Sequence, residues 1–240
     1  MSFRLECKKM KRTGFFPTFL CGGFLAAGVP ILNMAVRSEN YLGLDTPPVQ
    51  ILMDANWQMM AMLNILLVVA EACLMYHTEY ADNAIQRICT LPIKESRLFF
   101  GKAALLLIMC VVILAIETVS LAFCSCHWFE CSKEVSMEIM KNLGYALLLM
   151  LPAASGSLMI ASACKNMWVS LGIGIVCVFT ATMLPAKNFV LSLFPFAMPF
   201  QIFAGTAENT IYKFIIAAVI EVTVIAIAEV LFLKVRRSFE

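Results

Sequence analysis

The amino-acid sequence predicts an all-α membrane protein. It has six transmembrane helices, an N-terminal amphipathic elbow helix, and a re-entrant or interfacial segment before the last span. Three observations carry this reading. Of the 240 residues, 61% are hydrophobic and 14% charged, against about 45–50% and about 25% in an ordinary soluble domain. Several apolar runs reach the ~20 residues that a helix needs to cross a ~30 Å hydrocarbon core. The lysines and arginines between those runs are distributed unevenly, as the positive-inside bias requires.

Residues 2–13 form the elbow, a short basic segment with Phe3 and Leu5 on one side and lysines on the other, suited to lie along the inner leaflet. The first span covers about 15–36. Its charge-free run from Phe15 to Val36 has 22 residues, against about 7–15 for the apolar core of a signal peptide, so it reads as an uncleaved helix. An outer loop, 37–54, is broken by Pro47 and Pro48. The second span covers about 55–76, and 77–102 is the one long cytoplasmic loop. The third span is about 103–126. The fourth and fifth, about 141–163 and 167–186, are joined by the tight turn Cys164-Lys165-Asn166. The sixth, about 211–233, runs into the basic tail Lys234-Val235-Arg236-Arg237. The chain reads as a single domain over 1–240.

Segment 188–207 is the exception. It is apolar but carries Asn188, Pro195, Pro199 and Gln201. Each proline removes a backbone donor and clashes with the preceding turn, and irregular backbone cannot face lipid unless protein or the interface covers it. A broken pair of short helices is therefore expected. Charge parity agrees. With six spans, 13 of the 18 Lys and Arg fall on the cytoplasmic side and 5 outside; a seventh span would make the split 11 to 7. Both termini are then cytoplasmic and the chain sits in the plasma membrane. Small residues recur at helical four-spacing, at Gly22/Ala26, Gly23/Ala27, Ala153/Ser157/Ala161 and Ser170/Gly174. They allow close helix approach, either within the bundle or at a dimer seam on span 1 or span 5.

Four glutamates fall inside spans. A charged side chain at mid-bilayer costs on the order of 3 kcal/mol or more, so each must face the bundle, find a partner or be protonated. Glu71 and Glu229 lie near the inner ends of their spans, where solvation can suffice. Glu117 and Glu221 lie deeper. All four are candidates for a polar substrate path, with a neutral helix–helix hydrogen bond as the alternative for the deeper two. Most of the ten cysteines sit in apolar runs as small filler. Cys124, Cys126, His127 and Cys131 cluster at an outer helix end, where a soft-metal site or a disulfide are alternatives. The paired spacing of a zinc site is missing, and no metal is expected.

The nucleotide-binding pattern G-x-x-x-x-G-K-[ST] is absent, as are H-E-x-x-H and G-x-S-x-G. With a net charge of +2, nothing suggests a nucleic-acid partner. The chain is not expected to be an enzyme, and energy must come from a partner or a gradient. The loop reads HTEYADNAIQRICTLPIKESRLFFGK. Residues 79–89 can form a short helix with Ala81, Ala84, Ile85 and Ile88 on its apolar side. Leu91-Pro92 ends it, because the residue before a proline avoids the helical region. This is either a docking helix for a cytoplasmic protein or a connector lying on the headgroups.

The elbow, six spans, long second loop and interrupted segment before the last span resemble an ABC-2 type transporter permease. Within the loop, Glu79-Tyr80, Asn83-Ala84, Arg87, Thr90-Leu91-Pro92 and Lys102 are similar to the lantibiotic-immunity permeases of Gram-positive bacteria (LanE/LanG and MutE/EpiE-like). The resemblance implies a cytoplasmic ABC ATPase in two copies, with ATP and Mg bound there and no cofactor in this chain. It also implies a second similar permease, or a homodimer, and export of cationic antimicrobial peptides from the membrane. The 79–89 helix becomes the coupling helix, with Glu79, Asn83, Arg87 and Arg97 as contacts and Leu91-Pro92 fixing its exit. The alternatives are an ABC-2 permease for a bacitracin-like drug, lipid or sodium, a membrane-embedded metal or redox protein, and a regulatory membrane component.

Overall fold

A computed structural model describes residues 3–80, 95–129, 133–184 and 188–239. Described residues form eight α-helices: α1 (Phe3–Met10), α2 (Phe15–Arg37), α3 (Pro48–Tyr80), α4 (Glu95–Trp128), α5 (Lys133–Ala163), α6 (Met167–Met183), α7 (Phe189–Ser192) and α8 (Glu208–Phe239). Single 3₁₀ turns follow α2 at Ser38–Asn40 and precede α8 at Met198–Phe200. No strand occurs among the described residues.

Helix boundaries follow local chemistry. Gly14 separates α1 from α2 with φ 82°, a left-handed conformation that glycine adopts without a Cβ penalty. Pro48 opens α3 at the position where a missing N–H leaves nothing unsatisfied. Asn166 caps α6 by accepting from the Trp168 N–H at 2.9 Å.

Among the described residues, five helices are long and apolar enough to cross a membrane: α2, α3, α4, α5 and α8. The sequence predicts a sixth crossing at 167–186, but α6 has 17 residues, about 26 Å at 1.5 Å per residue, and stands apart from those five. Where the sequence places span ends by hydropathy, the helices run further. The α3 and α5 helices begin at Pro48 and Lys133 rather than at about 55 and 141. These extensions stay helical because backbone hydrogen bonding, not span length, decides where a helix stops.

Segment 188–207 does not form one long helix. Its two short helical pieces fold back so that Phe196, Ala197, Met198 and Pro199 are buried. The Trp57 indole N–H donates to the Pro199 carbonyl at 3.0 Å. The Asn142 carboxamide oxygen accepts from the Phe203 and Ala204 N–H groups at 3.2 and 3.3 Å. Side chains of α3 and α5 thereby satisfy backbone groups that the prolines prevent from pairing in a helix.

The α3 helix is the axis of the bundle, packed against α2, α4, α5 and α6. Asn33 of α2 donates to Asn56 of α3 at 2.8 Å. The Ser120 hydroxyl of α4 donates to the Ala27 carbonyl of α2. Ser170 of α6 donates to the Cys73 sulfur at 3.1 Å. The small residues serve contacts inside this bundle. A Cβ on Gly23 would lie 3.1 Å from Ile113, and one on Gly174 only 2.3 Å from Val69. Ala153, Ser157 and Ala161 are buried in α5.

Candidate functional site

At the end of the bundle where α3 stops and α4 begins, three helices bring four charged groups together. Lys102, one and a half turns or more inside α4, is 0% exposed. Its ammonium lies 2.9 Å from Glu79 Oε1 and 3.4 Å from Glu6 Oε2. It also donates to the Met75 carbonyl at 3.0 Å and sits 5.2 Å from the centre of the Tyr76 ring. Lys9 spans the same two carboxylates, at 3.1 Å from Glu6 and 3.4 Å from Glu79. Glu6 and Glu79 are 2% and 3% exposed. Buried charges survive only when paired and hydrogen-bonded, and two cations between two carboxylates meet that condition. The neighbouring Tyr80 hydroxyl donates to the Ser162 carbonyl at the end of α5, so the same end of α3 is also fastened to a fourth helix.

This arrangement revises the position expected for Glu79. The sequence suggests the start of a separate loop helix, yet α3 runs on through Tyr80. About one further turn beyond residue 76 turns the Glu79 carboxylate inward onto Lys102. Asn83, Arg87, Leu91 and Pro92 lie outside the described residues. Arg97 falls in the first turn of α4. Sequence reasoning did not single out Glu6. Its signal was a lone acid inside an otherwise basic amphipathic segment, FRLECKKM.

The intramembrane glutamates divide differently from expectation. Glu71 and Glu229, expected to be solvated at inner span ends, are both buried. The helices α3 and α8 continue past them, so they lie inside the bundle instead of at its rim. One oxygen of Glu71 has no hydrogen-bond partner among the described residues. Glu229 comes within electrostatic reach of Tyr76, beside the Lys102 cluster. Glu117 accepts from the Asn64 Nδ2–H at 3.0 Å. Glu221 is only half-buried, on the least buried of the five membrane-length helices among the described residues. Glu71 and Glu117 are buried on α3 and α4, and Glu221 and Glu229 lie on α8.

At the opposite end, Cys126 is disulfide-bonded, whereas Cys124 is a free, buried thiol. Cys131 lies outside the described residues. The His127 ring stacks against Phe123 at 5.7 Å, and no group of metal-ligating side chains gathers among the described residues. Two open pockets lie at this end. One, of about 550 Å³, is lined by Lys133, Glu134, Met137, Glu138, Lys141 and Phe203. The other, of about 390 Å³, contains Tyr41 and Asp54.

Long apolar helices around a polar-laced axial helix, with an ion-paired cluster where the loop between α3 and α4 leaves the bundle, define a multi-pass helical membrane protein. Residues 2–181 match the ABC-2 family of transporter proteins, and the chain belongs to that family. Its members are membrane subunits whose ATPase is a separate chain, so membership implies an ABC ATPase as partner. The match covers α1 to α6 and stops short of segment 188–207 and α8. No curated protein and no solved structure matches the chain.

Proposed function

We propose that the chain is the permease subunit of an ABC exporter that protects its host from lantibiotic-type cationic peptides, with two copies of a separate ATPase docking on the loop between α3 and α4. The Glu79–Lys102 contact of 2.9 Å carries the coupling part of this reading. It joins the two ends of the loop and ties both, through Glu6, to α1. Force applied to the loop then reaches α1, α3 and α4 together. Helix α1 acts as the elbow beside the ATPase, and α6 serves as the sixth crossing. The permease pairs with a second permease or with its own copy. Basic residues crowd the Lys102 end, which favours the cytoplasm for it. The disulfide-bonded Cys126 at the other end supports an outside location, since disulfides persist in oxidising compartments.

The coupling test uses loop residues and leaves the buried cluster intact. With the ATPase co-expressed, Arg87→Glu combined with Asn83→Ala should abolish co-purification and permease-stimulated ATP hydrolysis while leaving thermal stability unchanged. Persistence of both interactions would sink the docking assignment. Cargo is tested separately. Cells expressing permease and ATPase should withstand at least several-fold more of some lantibiotic in a panel than cells with an ATPase-dead partner. Equal susceptibility to every member would remove lantibiotic export and leave the coupling result standing.

A further inference from the structure

The Asn64–Glu117 contact holds more than one hydrogen bond. The two residues sit near the middle of α3 and α4, each 1% exposed. The Asn64 Nδ2–H donates to Glu117 Oε2 at 3.0 Å. The other oxygen of each group, Asn64 Oδ1 and Glu117 Oε1, is buried and has no hydrogen-bond partner among the described residues. Two acceptors are therefore left over on two side chains that already touch, and neither has a donor. A buried acceptor without a donor carries a desolvation cost of about 1–3 kcal/mol, more when it is charged.

We propose that this pair is a proton-binding site: Glu117 is held as the neutral acid, and its Oε1–H donates to Asn64 Oδ1. A carboxyl and a carboxamide joined in this way form an eight-membered ring with two hydrogen bonds. One hydrogen satisfies both leftover oxygens. A divalent metal needs about six or more oxygens, and two are free here. No lysine, arginine or histidine among the described residues ion-pairs with Glu117. The nearest titratable groups on its own helix are the Cys110 and Cys124 thiols, one on either side at the same spacing along the chain. On α3 the facing group is Asn64 itself. Towards α2, the α4 residue next along is Ser120, whose hydroxyl is spent on the Ala27 carbonyl. A carboxylate at this depth would thus stand without a counter-charge, where charge is costly.

The protonated pair fastens α3 to α4 in mid-bundle, as the Lys102 cluster fastens them at one end. The two helices that frame the loop are then held at two heights by different chemistry, one neutral and one ionic. This inference does not depend on the cargo or on the docking site.

Infrared spectra of the permease in phospholipid vesicles at neutral pH test it. Wild type should show a carboxylic-acid carbonyl band that shifts in D2O. The Glu117→Gln variant should lose that band with no change in the carboxylate stretch. It should also keep the wild-type melting temperature, because the glutamine N–H replaces the acid O–H. Asn64→Leu should keep the band but move it to higher frequency, as expected of an acid that has lost its acceptor. If Glu117→Gln removes carboxylate absorption instead, the site is ionised and the proposal fails. It fails equally if sodium or potassium salts abolish the wild-type acid band, since a cation then holds the site. Should Glu117→Gln not fold, the shift in Asn64→Leu still decides: an unmoved band overturns the pairing.

Discussion

Replacing Lys102 with methionine is expected to unfold the loop end of the bundle at a cost of about 3–5 kcal/mol, the usual consequence of removing one partner from a buried ion pair. The lysine is 0% exposed and, among the described residues, is the only cation in contact with both carboxylates that is itself fully buried. Lys9 remains, but its side chain is partly exposed and lies 3.4 Å from Glu79, so it compensates only in part. Thermal unfolding in detergent should show the loss as a large drop in melting temperature. The triple replacement Lys102→Met, Glu79→Gln, Glu6→Gln should recover much of it, because the fully buried charges are removed together and Lys9, partly exposed, can reach water. A single variant as stable as wild type would mean that the cluster is solvated and that the two roots of the loop are not clamped. Arginine at position 102 is not a neutral substitute, since its larger planar group must fit where a compact ammonium sits between two helices.

Gly174→Ala should destabilise by about 1–3 kcal/mol, the range for overpacking a tight core. The added methyl would lie 2.3 Å from a Val69 methyl, closer than real atoms approach. Valine cannot yield easily, because branching at Cβ restricts it to few rotamers. The α6 helix is short and depends on α3 for its seat, through Gly174 and through the Ser170–Cys73 hydrogen bond. Gly172→Ala is the control: nothing lies within 4 Å of its Cβ, and no loss is expected there. Val69→Ala should rescue Gly174→Ala by making room, a coupling that a double-mutant cycle of melting temperatures reads directly. Equal effects at positions 172 and 174 would place the α3–α6 seam elsewhere.

Much of the architecture was legible in the amino-acid sequence. Apolar runs long enough to cross a bilayer announced the helices at 15–36, 55–76, 103–126, 141–163 and 211–233. Two prolines four residues apart announced the break in 188–207. These properties are local, since apolar length and a missing N–H act within a few residues of themselves. The layout of elbow, spans and long second loop led to the ABC-2 family that residues 2–181 match. What sequence reading could not assign was the partner of each polar side chain. Glu79 enters as a coupling contact through the resemblance of the loop, and nothing in the segment around it shows what it pairs with. It is buried because α1 and α4, encoded 73 residues before it and 23 after, arrive with Glu6 and Lys102.

Hydropathy and the placement of lysine and arginine were enough to determine a bundle of membrane helices with its basic side marked, because the bilayer acts on each segment separately through its length and charge. Only the tertiary structure decided which polar groups are paired. Lys102 with Glu79 and Glu6, Asn64 with Glu117, and Gly174 against Val69 are contacts between segments far apart in the chain. Their energies depend on distances of a few ångströms that no single segment contains.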